Sequence, residues 1–500
     1  MIKKQRLIII ICAAVVAIMA VLYFAVLRPI INRGDDVSEP PKLLPGELLG
    51  SSDRILMFEH VEKAEIDSIK VHNQHGDYEF YRTNSENFSI RGLEGVPYSA
   101  ETLSSLAVST GYALSISRIE EDCQNMSEFG LAPEDNPSYY ILKKLDGTEH
   151  KVYIGNKLLS GGGYYCRYEG RNAVYAMDTS YDSTVLLDIY DLVQPILGYP
   201  ISSNAYAIID DFNISKLDSD GICSEFVWID RVDEGENSGL SVLLKMLYPT
   251  DYPVNSKNYS SVTGILGNFK GEKVMTAGPV GESLDFDMLK SEYGIDVANP
   301  AYEISYSISG VTIKILFSSQ DDDGYMYAYT SLYNMVVKIN ISSAKFLDWD
   351  LIEWVGDTVY QEDIDDISEL SIVSDQVTVT FLLEGEGKDL VVRPSDSGKN
   401  FDKDEVANFR KFYTSILIQV RRGYADSTDT DESKLIATIS MTFKSGEKRE
   451  YKYYAYSTRR CFYTINGDGE FYMLRDELQK ILNDAERVLN GEQVDYEDKN

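Results

Sequence analysis

Glu128-Phe129-Gly130-Leu131-Ala132-Pro133-Glu134-Asp135-Asn136-Pro137-Ser138-Tyr139-Tyr140-Ile141 is the stretch on which the fold turns, because the chain writes it again. Glu292-Tyr293-Gly294-Ile295 echoes its start, and Asn299-Pro300-Ala301-Tyr302-Glu303-Ile304 echoes Asn136–Ile141 at an offset of 163 residues. In both places Gly, Pro and Asn break the chain just before a β-like run. A period of this size is too long for a solenoid and points to tandem domains.

Upstream of the first copy, Ile66, Ile69, Val71, then Tyr78, Phe80, then Phe88, Ile90 read as three short strands. Ser99 offers an N-cap, with Glu101 in the first turn and Leu103, Leu106, Ala107 and Leu114 on one helical face. Downstream, Tyr139–Leu145, Lys151–Ile154, Tyr164–Tyr168 and Ala173–Met177 read as strands, closed by an amphipathic helix carrying Val185, Leu186 and Ile189. The second block has a helix on Val262, Ile265, Leu266 and Phe269, strands at Val311–Phe317, Tyr325–Tyr329 and Met335–Ile339, and a helix around Phe346–Trp354. The third starts near Ile367, with strands at Leu370–Val373, Val377–Leu383, Leu390–Val392, Leu435–Phe443, Glu450–Tyr456 and Cys461–Ile465. Its helices carry Val406, Phe409, Tyr413, Ile416 and Val420, then Leu474, Leu478, Ile481, Leu482 and Leu489. Arg460-Cys461-Phe462-Tyr463 stands where Tyr165-Cys166-Arg167-Tyr168 stands in the first block, but the Gly turn is missing.

The predicted class is therefore α+β: an N-terminal single transmembrane helix, then tandem α+β repeats of mainly antiparallel sheet with amphipathic helices. The anchor rests on Leu7–Leu27, 21 residues without a charge between Arg6 and Arg28, enough helix for one bilayer core. It is longer than a signal-peptide core, and Arg28-Pro29-Ile30-Ile31 makes a poor cleavage site. The expected organisation is a cytoplasmic tip and anchor over 1–33, a linker over 34–54, repeats over 55–200, 201–360 and 361–490, and an acidic tail over 491–500. Lys3, Lys4 and Arg6 favour a cytoplasmic N-terminus, with the rest extracytoplasmic at a bacterial cell membrane.

Charge narrows the partners. The chain carries −33 overall, and its first 33 residues hold five basic and no acidic side chains, leaving −38 for residues 34–500. Such a surface argues against nucleic acid, which needs clustered cations. His60, His72, His75 and His150 all fall in the first block. His72-x-x-His75 lacks the further ligands a metal needs and reads as a solvated turn. Cys123, Cys166, Cys223 and Cys461 form no Cys-x-x-Cys pair, so disulfides and buried thiols both stay open. Asp218-Ser219-Asp220-Gly221, Asp321-Asp322-Asp323-Gly324 and Asp429-Thr430-Asp431-Glu432 read as acidic turns, with weak calcium binding as the alternative. Ser160-Gly161-Gly162-Gly163 lacks the Lys-Ser/Thr of a phosphate loop and reads as a hairpin turn. No catalytic, cofactor-binding or metal-binding residue is nominated, and no cofactor is expected.

The 36 tyrosines, including Tyr451-Lys452-Tyr453-Tyr454-Ala455-Tyr456, read first as strand packing and second as sugar-stacking rows.

The chain resembles the bacterial domain-of-unknown-function 4340 family through Ile66–Ile90, Leu103–Leu114, Glu128-Phe129-Gly130-Leu131 and Val152-Tyr153-Ile154-Gly155 leading to Gly163-Tyr164-Tyr165. The resemblance implies an extracytoplasmic domain often encoded beside ABC-2 or gliding-type transporter components. The expected function is thus a single-pass, membrane-anchored interaction scaffold rather than an enzyme, bound to the bilayer through residues 7–27 and to ABC-type transporter subunits. A cell-wall or glycan-binding protein using exposed tyrosines is the alternative, and a carboxylate-dependent envelope hydrolase ranks below both.

Overall fold

The computed structural model describes residues 41–84, 87–201, 204–232 and 243–494. A short hairpin, β1 (Leu48–Leu49) and β2 (Ile55–Leu56), precedes three eight-stranded antiparallel sheets. The first sheet is built from β3 (Ile66–Asn73), β4 (Gly76–Arg82), β5 (Phe88–Ile90), β6 (Ser117–Glu120), β7 (Ser138–Lys144), β8 (Glu149–Lys157), β9 (Tyr164–Tyr168) and β10 (Val174–Met177). The second holds β11 (Ile209–Leu217), β12 (Cys223–Val232), β13 (Leu243–Tyr248), β14 (Lys273–Ala277), β15 (Tyr302–Ile308), β16 (Val311–Phe317), β17 (Tyr325–Thr330) and β18 (Met335–Asn340). The third holds β19 (Ile367–Ser374), β20 (Thr378–Glu384), β21 (Val391–Pro394), β22 (Gly423–Tyr424), β23 (Leu435–Phe443), β24 (Lys448–Ala455), β25 (Arg460–Ile465) and β26 (Phe471–Leu474).

All three sheets share one strand order. The first runs β5-β4-β3-β7-β8-β9-β10-β6, and the others repeat it strand for strand. A three-stranded meander leads into a helix, the next strand joins the opposite edge, and a four-stranded meander fills the space between. The helices are α1 (Ala100–Gly111), α2 (Ser256–Leu266) and, after α3 (Phe286–Tyr293) and the single-turn α4 (Leu351–Trp354), α5 (Lys403–Leu417). Each crossing helix lies on its sheet. The Tyr140 hydroxyl meets the Thr110 carbonyl at 3.3 Å, and Tyr259 and Phe409 set their rings against Phe212 and Phe381 at 5.6 and 4.9 Å.

The repetition reaches single residues. The strand alternation buries Ile66, Ile69 and Val71; Ile209, Phe212 and Ile214; and Ile367, Leu370 and Ile372. Each such side chain contributes about 1.5–3 kcal/mol by leaving water. The central pairing in every sheet shifts register by a bulge near the first of these isoleucines. Pairing also corrects the sequence echo. Val71 faces Tyr140 and Ile214 faces Ile304, so the equivalent positions lie one residue further apart than the echo. The echo by itself would turn the strand inside out.

The chain packs into two compact units, one of residues up to Ile90 with Ala100–Asp188 and one of Arg91–Ser99 with Ile189 onward. Inside the second unit the junctions also repeat. Gln194 N donates to Pro97 O at 2.8 Å and Ser99 N to Leu192 O at 3.3 Å. Likewise Gly356 N donates to Pro253 O at 2.6 Å and Asn255 N to Trp354 O at 2.8 Å. Tyr98 bridges Val193 just as Val254 bridges Val355.

The expected α+β class needs correction: antiparallel sheet dominates and helices are few. The helix expected at Val185–Ile189 is replaced by 3₁₀ turns at Thr179–Ser183 and Ile189–Leu192, and that at Phe346–Trp354 by a 3₁₀ turn and α4. Ser and Thr side chains compete for the backbone there: Ser183 Oγ and Thr184 Oγ1 both donate to Ser180 O, at 3.2 and 2.8 Å. Only the third repeat closes with a long helix, α6 (Arg475–Leu489), whose Leu478, Ile481, Leu482, Ala485 and Val488 are buried along one face. The anchor expected at residues 7–27 lies outside the described residues, and no helix among the described residues is long and apolar enough to cross a membrane.

Candidate functional site

Residues 41–56, which the sequence places mainly in a linker, are folded onto the far edge of the first sheet. Glu47 is the reason. Its carboxylate is buried, takes hydrogen bonds from Arg118 Nη1 (2.6 Å), the Tyr175 hydroxyl (2.6 Å) and Leu44 N (2.7 Å), and pins the entering chain beside β6. Ser115 N then donates to Ile55 O (2.9 Å) and Met57 N to Ala113 O (3.1 Å). Past this contact the entering chain and β6 diverge around a groove of about 690 Å³, lined by Lys42, Asp53, Arg54, Ile116, Ile119 and Glu120 among others. Arg54 also borders a cleft of about 490 Å³ between α1 and the turn at 179–183, where Ser104, Ser109, Ser180 and Thr184 stand with Val108 and Tyr112. Groove and cleft together form the candidate site.

The residues singled out from sequence do not converge on it. His72 Nδ1 lies 2.6 Å from Asp77 Oδ1 while its ring stacks on Tyr139 at 5.0 Å. His75 approaches Asp188 at 3.9 Å, and His60 approaches Glu62 at 3.6 Å. His150 is buried against Phe58, ring centroids 4.2 Å apart, with Nδ1 3.1 Å from the Tyr168 hydroxyl. Burial lowers its pKa. No group of three or more His, Cys, Asp or Glu able to hold a metal occurs among the described residues.

Cys123, Cys166, Cys223 and Cys461 are all free. Desolvation pushes the Cys223 thiol up to about 11 and the buried Cys461 thiol up to about 12, which disfavours the reactive thiolate. In the acidic loops, Asp218 Oδ1 accepts from Asp220 N and Ile222 N, both at 2.9 Å, and Asp321 Oδ1 accepts from Asp323 N (3.0 Å) and Tyr325 N (2.8 Å). The leading carboxylate of each is thus spent on its own turn. Asp429 Oδ1 accepts from Asp431 N at 3.0 Å and its other oxygen takes Lys434 Nζ at 2.5 Å. Ser160–Gly163 forms the hairpin turn between β8 and β9, with Leu158 N donating to Gly163 O at 2.8 Å.

Tyrosines chiefly pack. Tyr451 and Tyr453 on β24 are fully buried; Tyr451 donates to Glu362, and Tyr453 shares a hydrogen bond with Tyr360. Tyr139 and Tyr153 stand in cross-strand register on the other face of the first sheet, but Lys151 lies over both rings at 4.3 and 4.6 Å and Arg167 over Tyr153 at 4.4 Å. Ring faces that cations and His72 already cover are poor sugar platforms.

Sequence reasoning missed Glu47, Arg118, Glu362 and Arg449. An acidic residue in a chain this acidic carries no local sign of burial. No known protein family, characterised protein or solved structure matches the chain.

Proposed function

We propose that this protein is a membrane-tethered interaction scaffold, held to the bilayer through residues 7–27 with its sheets on the extracytoplasmic side. One observation carries the reading: a single eight-stranded topology occurs three times in succession. Repeated sheets enlarge surface rather than build one reaction centre, which suits a scaffold. The family resemblance supplies the partner class, subunits of an ABC-type transporter. Purifying the full chain from membranes in mild detergent is expected to bring such subunits with it in fixed ratio. A protein recovered alone after crosslinking in intact cells sinks the proposal. Replacing the apolar residues of 7–27 with polar ones is expected to release the chain from the membrane fraction.

A further inference from the structure

We propose that the cleft between α1 and the turn at 179–183 binds a neutral saccharide. Both walls belong to the first unit, and the volume of about 490 Å³ falls within the range of small-ligand pockets, roughly 300–1,000 Å³. Composition points there first. Between Glu101 and Gly111 the helix α1 carries no charge, whereas α5 exposes Lys403, Asp404 and Lys411. The cleft side of α1 presents Ser104, Ser105, Val108, Ser109 and Tyr112. Serine and valine are weak helix formers, so helix stability does not explain this face.

Hydrogen-bond capacity narrows the ligand. A hydroxyl has one hydrogen to give and two lone pairs to receive. Ser109 Oγ lies 3.1 Å from both Leu106 O and Thr184 Oγ1, and Ser183 Oγ donates to Ser180 O at 3.2 Å. Their hydrogens are engaged and lone pairs remain. Ser104 is the reverse: its oxygen accepts from Lys63 Nζ at 3.2 Å and its hydrogen remains. The Ser105 and Ser180 hydroxyls have no hydrogen-bond partner among the described residues, and both side chains are exposed. Donors and acceptors therefore stand side by side at the cleft. An anion calls for donors and a metal cation for oxygen acceptors, whereas a sugar hydroxyl both gives and receives.

Charge agrees. Arg54, Glu101 and Asp178 are the charged residues lining the cleft, all of them exposed and of both signs. Asp178 Oδ1 already accepts from Ser180 N at 2.9 Å. Exposed charges of mixed sign are screened by solvent and select no ion. Val108 is 61% exposed among the serines, and Leu114 and Met177 line the same cleft. An apolar strip beside hydroxyls matches a sugar ring, which shows C–H groups on its face and O–H groups around its edge. The cleft is separate from the row of Tyr139 and Tyr153, whose rings cations cover.

The test uses the full chain in detergent and a panel of neutral mono-, di- and trisaccharides of glucose, galactose, mannose and N-acetylglucosamine, read by calorimetry. At least one is expected to bind with a millimolar or tighter Kd and to slow amide hydrogen exchange within residues 104–112 and 178–184. Ser105→Trp and Val108→Asp, both at exposed positions, are expected to weaken that binding at least tenfold with an unchanged Tm, and Tyr139→Ala to leave it as it is. A panel without a binder overturns the proposal, as does exchange slowed only elsewhere, or binding that survives both cleft variants. So does tighter binding of a phosphorylated or amino form of a sugar than of its neutral parent, because charge would then select the occupant.

Discussion

Arg449 on β24 is a guanidinium taken out of water and held between carboxylates. Its Nη1 meets Glu362 at 2.8 Å and its Nη2 meets Asp251 at 3.3 Å, while the Tyr451 hydroxyl donates to the same Glu362 oxygen. The Glu362 side chain is 1% exposed, so solvent cannot replace a lost partner. Arg449→Met is expected to cost about 3–5 kcal/mol in urea unfolding, because it leaves a buried carboxylate uncompensated. A loss no larger than that of an exposed substitution such as Lys388→Met would refute this. His150 makes the matching pH prediction. Burial holds its pKa below 6.5, so the unfolded chain binds its proton first as pH falls. The stability tied to neutral His150 is therefore complete above about pH 6.5 and declines as pH drops toward the lowered folded value. His150→Gln should flatten the change in urea midpoint between about pH 7.5 and 5.5 relative to the parent chain.

At the scale of elements, the hairpin of β8 and β9 separates two glycines that look alike in sequence. A Cβ on Gly163, at φ +149°, would stand 1.8 Å from Met177 O, whereas one on Gly161, at φ +72°, would meet nothing within 4 Å. Gly163→Ala is expected to cost about 2 kcal/mol or more and Gly161→Ala about 1, read as paired urea midpoints; equal costs would contradict the close approach. The Gly turn that revealed the repeat has its own cause. Gly130 (φ +66°) and Gly294 (φ +68°) both end a helical turn in the left-handed region. Leu131 and Ile295 behind them are fully buried, so the motif was visible because a backbone need and a packing need coincide there. Closing helices were harder to read. Apolar side chains at 185, 186 and 189 mimic one helical stripe, yet only Arg475–Leu489 sustains its stripe over four turns, long enough to outweigh helix nucleation.

For the whole molecule, the second unit ties two sheets together through Arg421. Its guanidinium donates to Gly356 O (2.7 Å), Ile352 O (2.8 Å) and Val355 O (2.6 Å), and Glu470 N reaches the Tyr252 hydroxyl at 2.9 Å nearby. Arg421→Ala leaves the buried Val355 carbonyl without its donor, at roughly 1–3 kcal/mol, and removes the donors of the half-buried Ile352 and Gly356 carbonyls as well. The calorimetric transition of the second unit is then expected to split, with a van't Hoff enthalpy below the calorimetric one; a single shifted transition would show that other contacts suffice. The alternation of Ile66, Ile69 and Val71, the caps and turns, and the echo of Glu128–Ile141 are local properties, and the sequence by itself determined most strands of the first and third sheets, the long helices and the fact of repetition, but not β6, β11–β14, β22 or β26. Which strands became neighbours, the one-residue correction to the repeat, the burial of Glu47 and Glu362, and the groove beside Ser117 and Ile119 were decided only by tertiary structure. The reason is physical: strand pairing and ion-pair burial join residues far apart in the chain, and no local pattern records which distant groups will share an edge or be cut off from water.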